Sequence, residues 1–271
     1  MNRIIFYLHM LRYCISNPID GIRVLQSAYE VKQDSQYKIT EEIKPINVQN
    51  CIRLFCSNNS FEKNEHLINL ENHLMKFTEE LKINGYPSIQ KPYPIDYSVD
   101  KNSGLFLYHL CKTRRPEIII ETGVAYGRSS AYILQALHEN QKGRLYSIDY
   151  VFSPWQSKQS IGSAIPEHLR DRWEIIFGPT TKKLPKLLNS LDSIDIFFHD
   201  SLHTFKTMTF EFQTSWPYIK KGGFLLSDDA TGNNAFHNFC HLQKLKPTYL
   251  TQGNNNFMGI LQKTDEDNIP N

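Results

Sequence analysis

The chain contains no C-x-x-C pair. Its five cysteines, Cys14, Cys51, Cys56, Cys111 and Cys240, are odd in number and scattered. That excludes zinc ribbons and dithiol redox motifs, and it reads as reduced thiols in a cytoplasmic compartment. Net charge is also scarce, with 30 Lys and Arg against 28 Asp and Glu, or +2. A nucleic-acid binder usually needs a clustered basic face. The densest basic stretch here, Lys112-Thr113-Arg114-Arg115, stands just before Pro116 and a strand, so it reads as a solvated helix end. Long apolar runs are missing too. Ile4–Ile15 is interrupted by His9 and Arg12, follows Arg3, and falls far short of the roughly 20 residues that span a bilayer. No transmembrane segment is expected, and no small-residue cleavage site follows to suggest a signal peptide. There is no internal repeat and no low-complexity tract.

What is present is an ordinary globular composition, 40% hydrophobic and 21% charged over 271 residues, enough for one core and an accessory region. The pattern changes near residue 100. Residues 1–100 read as a helical N-terminal extension. Asn17-Pro18 starts a helix over Ile19–Tyr29. Val31–Lys44 is polar and reads as a loop, and Phe61–Ile83 has helical spacing closed by Asn84-Gly85. Tyr86–Tyr97, with Pro87, Pro92 and Pro94, reads as an extended connector. The first helices are expected to pack on the domain or on a partner, including another copy of the chain, with an interfacial membrane helix as the alternative for the first of them.

Residues 101–271 alternate β-rich runs with helical stretches: Glu117–Thr122, Arg144–Asp149, Trp173–Gly178, Ile194–Asp200 and Gly223–Asp228. Such alternation predicts an α/β fold with a parallel sheet and helices on both faces. Right-handed crossovers put the strand C-termini on one edge, where such sheets bind ligands. The chain closes on a hairpin, Tyr249–Thr251 and Phe257–Lys263. The expected strand order is therefore 3-2-1-4-5-7-6, with an antiparallel strand 7.

The first strand ends Glu121-Thr122-Gly123-Val124-Ala125-Tyr126-Gly127-Arg128-Ser129-Ser130. Glycines at a strand-to-helix turn let backbone approach a ligand, and the helix N-terminus offers free N–H groups. Asp149 closes the next strand about 20 residues on, where a carboxylate meets a ribose diol. The spacing is not the dinucleotide G-x-G-x-x-G. An acid before the first glycine would repel a pyrophosphate but suits the ammonium of S-adenosylmethionine (SAM). On these residues the sequence resembles the class I SAM-dependent methyltransferases, with a Rossmann-like fold. The resemblance implies that Gly123, Ala125 and Gly127 border the cofactor and Asp149 binds its ribose. Glu121, Tyr126 and Ser129 of the same turn are counted with them. After the third strand, Thr180 either lines the adenine pocket or caps the next helix.

The fourth strand ends His199-Asp200-Ser201-Leu202-His203 and the fifth Ser227-Asp228-Asp229. Neighbouring strands lie under about 5 Å apart, so Asp200, Asp228 and Asp229 can converge. Three carboxylates repel one another unless a cation or proton intervenes. Oxygen ligands favour Mg²⁺, with Mn²⁺ or Ca²⁺ behind it. The D-x-x-H ending, the stretch Trp216-Pro217-Tyr218-Ile219-Lys220-Lys221-Gly222-Gly223 and the D-D ending resemble the macrocin-type and cephalosporin-hydroxylase-like branch. That implies a Mg²⁺ site at Asp200, Asp228 and Asp229, with Asp200 also beside the cofactor and His203 as general base. It also implies methyl transfer to a hydroxyl of a small molecule, a sugar or a secondary metabolite. The branch usually has glycine where Ser201 stands, and a tilted turn would point His203 away. Asp229 as a helix cap and His203 as a plain helix-start residue stay open. His199 should face the other side of its strand. Phe152–Ile165, with Trp155, reads as a lid. Two other functions compete: a hydroxylase component, or a non-catalytic subunit binding a partner through its N-terminal helices.

Overall fold

The computed structural model describes residues 3–56, 64–86, 99–150, 157–253 and 256–264. The prolines at 87, 92 and 94 and the proposed lid tryptophan, Trp155, lie outside the described residues. Seven strands form one sheet: β1 (Ile118–Thr122), β2 (Arg144–Asp149), β3 (Trp173–Phe177), β4 (Ile194–His199), β5 (Ile219–Ser227), β6 (Thr248–Thr251) and β7 (Phe257–Gln262). Their order is β3-β2-β1-β4-β5-β7-β6. The first five pair in parallel, and β7 runs antiparallel to both β5 and β6. The architecture expected from the β-α alternation and the terminal hairpin is the one observed. The fifth strand starts earlier than its apolar run, at Ile219, because Ile219 pairs with Ile194 of β4 ahead of a register shift.

Nine α-helices are described: α1 (Arg3–Ser16), α2 (Pro18–Gln33), α3 (Val48–Cys56), α4 (Glu65–Ile83), α5 (Lys101–Arg114), α6 (Arg128–Asn140), α7 (Thr180–Asn189), α8 (Phe205–Ser215) and α9 (Ala235–Leu242). Several start on side-chain caps that satisfy otherwise orphaned N–H groups. Asn64 accepts from Leu67 N, Asp100 from Ser103 N and Thr204 from Thr207 N. Two helical expectations change. The polar stretch from Val31 is not all loop: α2 runs to Gln33 and a 3-10 turn follows over Asp34–Gln36. The Asp34 carboxylate accepts from Phe205 N at 2.8 Å and fixes that turn on the body. Between β2 and β3, the described residues hold turns and a 3-10 helix (Glu167–Arg172) in place of an α-helix.

Each face of the sheet carries its own core. Ile119, Ile196 and Phe198 pack under α3 to α6 with Leu107, Leu110 and Ile133. Ile120, Phe197 and Leu225 pack under α7 to α9 with Leu184, Phe212 and Phe236. Strand alternation thus sends successive side chains into opposite layers. The first hundred residues are of two kinds. In α3 and α4, Cys51 and Leu67 are fully buried in the first of these cores, and Ile46 bridges Leu250 at the sheet edge. In α1 and α2, Gly21 alone is buried among the described side chains.

Candidate active site

The turn after β1 is built on left-handed backbone. Gly123, Ala125 and Gly127 have φ of +81°, +50° and +90°. A β-carbon on Gly123 would sit 1.9 Å from Asp200 O, so glycine here lets the turn pass against the end of β4. A β-carbon on Gly127 would collide with Gly162 and Ile165. Residues 160–165 cover this turn: Gly162 N donates to Ala125 O at 3.0 Å and Ala164 N to Tyr126 O at 2.9 Å. Asp149 reaches the turn from β2. Its Oδ2 accepts from Val124 N at 3.0 Å and Ala125 N at 3.1 Å, and its Oδ1 from Tyr150 N at 2.5 Å. Burial pushes this carboxyl above the usual range, and the two turn amides oppose that.

Three residues expected to border a cofactor have other work for their side chains. Glu121 is fully buried and accepts hydroxyl hydrogens from Ser129 and Ser130, each at 2.6 Å, and from Ser147 at 2.8 Å. Its carboxylate therefore sits in a serine cage under the N-terminus of α6 rather than at an ammonium; burial raises it and the three hydroxyls hold it down. Ser129 is committed to that cage. The Tyr126 ring is buried against Phe77 of α4, with centroids 5.5 Å apart.

The second constellation lies at the ends of β4 and β5. His203 Nδ1 is 3.1 Å from Asp229 Oδ2, and its Nε2 is 3.6 Å from Asp200 Oδ1. So His203 points into the acids despite Ser201. Burial alone would lower the imidazole, but Asp200 and Asp229 hold it up to about 10. Asp200 is raised by burial and by the Asp228 charge, and Asp228 by burial. Asp229 is lowered by its bond to His203. Asp228 Oδ1 also accepts from Gln252 Nε2 at 2.5 Å, and Gln252 Nε2 contacts Ser103 Oγ at 2.8 Å.

The grouping able to hold a cation differs from the three acids expected. Asp200, His203 and Asp228 each offer a ligand atom, all within 4.8 Å of one another. Asp229 is not in that group. Its left-handed backbone, φ +44°, goes with a carboxylate turned onto His203. The donor set fits a divalent cation. It holds two carboxylates raised by burial, and a buried Nε2 that makes no hydrogen bond.

Residues 120–230 match a family model described as a methyltransferase domain. No curated protein matches the chain by sequence. Solved structures similar to it include an SAH-bound methyltransferase of Podospora anserina (16% identity, TM-score 0.53), covering 83% of this chain and 100% of that one. An O-methyltransferase from Bacillus cereus in complex with SAH is 17% identical with a TM-score of 0.54, covering 78% and 100%. The O-methyltransferase of tomaymycin synthesis from Streptomyces achromogenes, in complex with SAM, is 16% identical with a TM-score of 0.52, covering 80% and 96%. The chain has their fold, the Rossmann-like sheet of the SAM-dependent methyltransferases.

The domain also has a central residue that the motifs do not announce. Glu211, fully buried on α8, accepts from Thr122 Oγ1 at 2.6 Å, His199 Nδ1 at 2.7 Å and Ser201 Oγ at 2.8 Å. Thr180 donates to it as well. Thr180 starts α7 without capping it; Pro179 holds the cap position. Burial would raise Glu211, but His199 and these hydroxyls leave it below the usual range. Burial lowers His199. The two directions agree on a neutral ring donating its Nδ1–H to an ionised carboxylate. One signal was available in sequence: Met208, Glu211, Phe212 and Ser215 fall on one helical stripe, which places an acid on a buried face.

Proposed function

We propose that this chain is a SAM-dependent O-methyltransferase that uses a divalent cation and acts on a hydroxyl of a small molecule. The observation that carries the reading is the meeting of two constellations on one sheet edge. Gly123 packs directly on Asp200 O, so the turn proposed for SAM touches the strand end that carries the acid and histidine group. The turn and Asp149 would hold SAM, which when bound would supply an electrophilic methyl group. Asp149 orients the turn through Val124 and Ala125 and keeps one lone pair, on Oδ1, for a ribose hydroxyl. Asp200 and Asp228 would hold the cation, whose charge favours loss of a proton from a nearby hydroxyl. Without a cation the acids keep His203 protonated; a cation on Asp200 and Asp228 would offset their charge and leave the ring neutral, so that Nε2 could take the proton while Asp229 orients the ring through Nδ1. The acid pair suits Mg²⁺; His203 as a third ligand would move the preference toward Mn²⁺.

The D-x-x-H and D-D endings support placement in the macrocin-type branch, with a sugar or secondary-metabolite hydroxyl as acceptor. The catalytic unit is residues 101–271, and residues 1–100 form an extension whose second half contributes to the core. Five unpaired cysteines support a reducing, cytoplasmic setting. No helix among the described residues is long and apolar enough to cross a membrane.

The test uses labelled SAM, the full chain and a small-molecule extract of the source, with labelled product identified by mass spectrometry. Transfer is expected to stop with EDTA and return with Mg²⁺ or Mn²⁺. Transfer unaffected by EDTA would remove the cation from the reaction and leave His203 to act alone.

A further inference from the structure

The helix α2 is tied to the sheet at the edge that carries the candidate site. Its half-buried residues are Arg23, Val24, Ser27 and Glu30, followed by Asp34 at the C-cap. Positions three and four apart lie on one face of a helix, so this is a single stripe turned toward the body. Arg23 bonds the Tyr150 hydroxyl and lies over its ring, 4.8 Å from the centroid. Tyr150 directly follows Asp149 at the end of β2. Further along the stripe, Glu30 accepts from Thr204 Oγ1 at 3.1 Å and pairs with Lys206 Nζ at 3.0 Å, just past His203. Asp34 accepts from Phe205 N at 2.8 Å and from Asn233 Nδ2 at 3.3 Å. The same Asn233 amide donates to His203 O at 3.2 Å.

These anchors fix the course of the helix. In the sheet, β1 lies between β2 and β4. A helix tied at the end of β2 and beyond the end of β4 therefore passes across the end of β1, where the turn of Gly123, Ala125 and Gly127 begins. The lengths agree: the helix rises about 10.5 Å from Arg23 to Glu30, and two inter-strand spacings are about 9.6 Å. Ser27 stands midway between the anchors. Among the described residues its Oγ bonds only Val24 O of its own helix, at 3.4 Å. No residue of the stripe is fully buried. Polar ties at its two ends, and not core packing, hold it across the edge.

We infer that α2 forms the outer wall of the reaction site, and that Ser27 on its inner stripe contacts the acceptor and limits its size. The inference rests on the reading of this edge as the site of SAM and acceptor. On that reading Tyr150 adjoins the ribose-binding acid and Thr204 adjoins the base. A helix joining the two spans the space in which methyl transfer would occur, and it assigns a role to the first part of the chain, which the catalytic motifs leave without one.

Two measurements on the full chain test it, with SAH as the probe. Stopped-flow release of SAH should become about 10-fold faster in the double variant Arg23→Ala with Glu30→Ala, which frees both ends of the wall. Ser27→Phe should lower transfer from labelled SAM to the small-molecule extract about 10- to 100-fold, while SAH affinity, read by calorimetry, stays at the wild-type value and shows that the variant is folded. Ser27→Ala should retain transfer. Unchanged SAH release in the double variant would overturn the wall. Unchanged transfer in Ser27→Phe, or a loss of SAH affinity equal to the loss of transfer, would take Ser27 off the acceptor. A wild-type chain that binds no SAH would overturn the underlying reading, and the inference with it; the same calorimetry tells that failure from the others.

Discussion

Glu211 shows how much of this site depends on a residue that touches none of the proposed reactants. It gathers donors from the end of β1, the end of β4, the turn leading to His203 and the start of α7. Glu211→Ala would leave those donors buried and unpaired, at about 1–3 kcal/mol for each that finds no partner. A fall in chemical denaturation stability of about 3 kcal/mol or more is expected. Glu211→Gln keeps the shape but not the charge and should lose less. His203 is the other informative residue. Replacing it by Ala should lower methyl transfer on the order of 10²–10⁴-fold if it is the base. If cation affinity, read by calorimetry, falls with it, His203 is a ligand instead.

Strand periodicity puts Asp149, Asp200 and Asp228 at strand ends, where the structure has them, whereas side chains that turn inward were not legible. In sequence Glu121 reads as facing a ligand, yet it turns into the core. Only the three serines that surround it decide, and two of those come from α6 and one from β2. Asp229 was grouped with its neighbour because adjacent acids look alike in sequence; its positive φ separates them.

At the scale of elements, the glycine turn and the segment over it act as one unit. Gly162 has φ +71°, and a β-carbon there would lie 2.2 Å from the Trp173 ring. Gly162→Ala therefore combines left-handed strain with overpacking, a destabilisation of about 1–3 kcal/mol. Because Gly162 N holds Ala125 O, SAM affinity should fall as well. Unchanged affinity in a folded Gly162→Ala protein would separate this segment from the cofactor turn. The region was hard to read because its helix-poor sequence carries no period, and its order comes from contacts with Trp173 and the turn.

A second element-level device joins α4, α5 and α6. Glu139 accepts from Tyr108 Oη at 3.0 Å and Asn64 Nδ2 at 2.8 Å, and it pairs with Lys112 Nζ at 3.0 Å. Burial would raise this carboxyl, but Lys112, Gln135, Asn64 and Tyr108 leave it below its ordinary 4.5. A depressed folded value means the stabilisation is fully present above the unfolded value and is lost as pH falls through the folded one. The melting temperature should thus drop below about pH 4.5, and Glu139→Gln should flatten that part of the profile.

On the scale of the whole molecule, the sheet order was legible because five apolar runs separated by helical stretches leave few right-handed solutions. The boundary near residue 100 was less legible. Composition changes there, yet Cys51 and Leu67 are as buried as any strand residue, since a short amphipathic helix looks the same whether it packs on its own domain or another. The architecture puts every proposed functional group on one edge, and the central claim is that this edge binds SAM. Calorimetric titration of the full chain with SAM tests it most directly. The account predicts saturable binding of one molecule per chain, weakened about 10- to 100-fold in Asp149→Ala, as expected for losing hydrogen bonds to a charged group. Binding of NADH with no heat from SAM or SAH would contradict it.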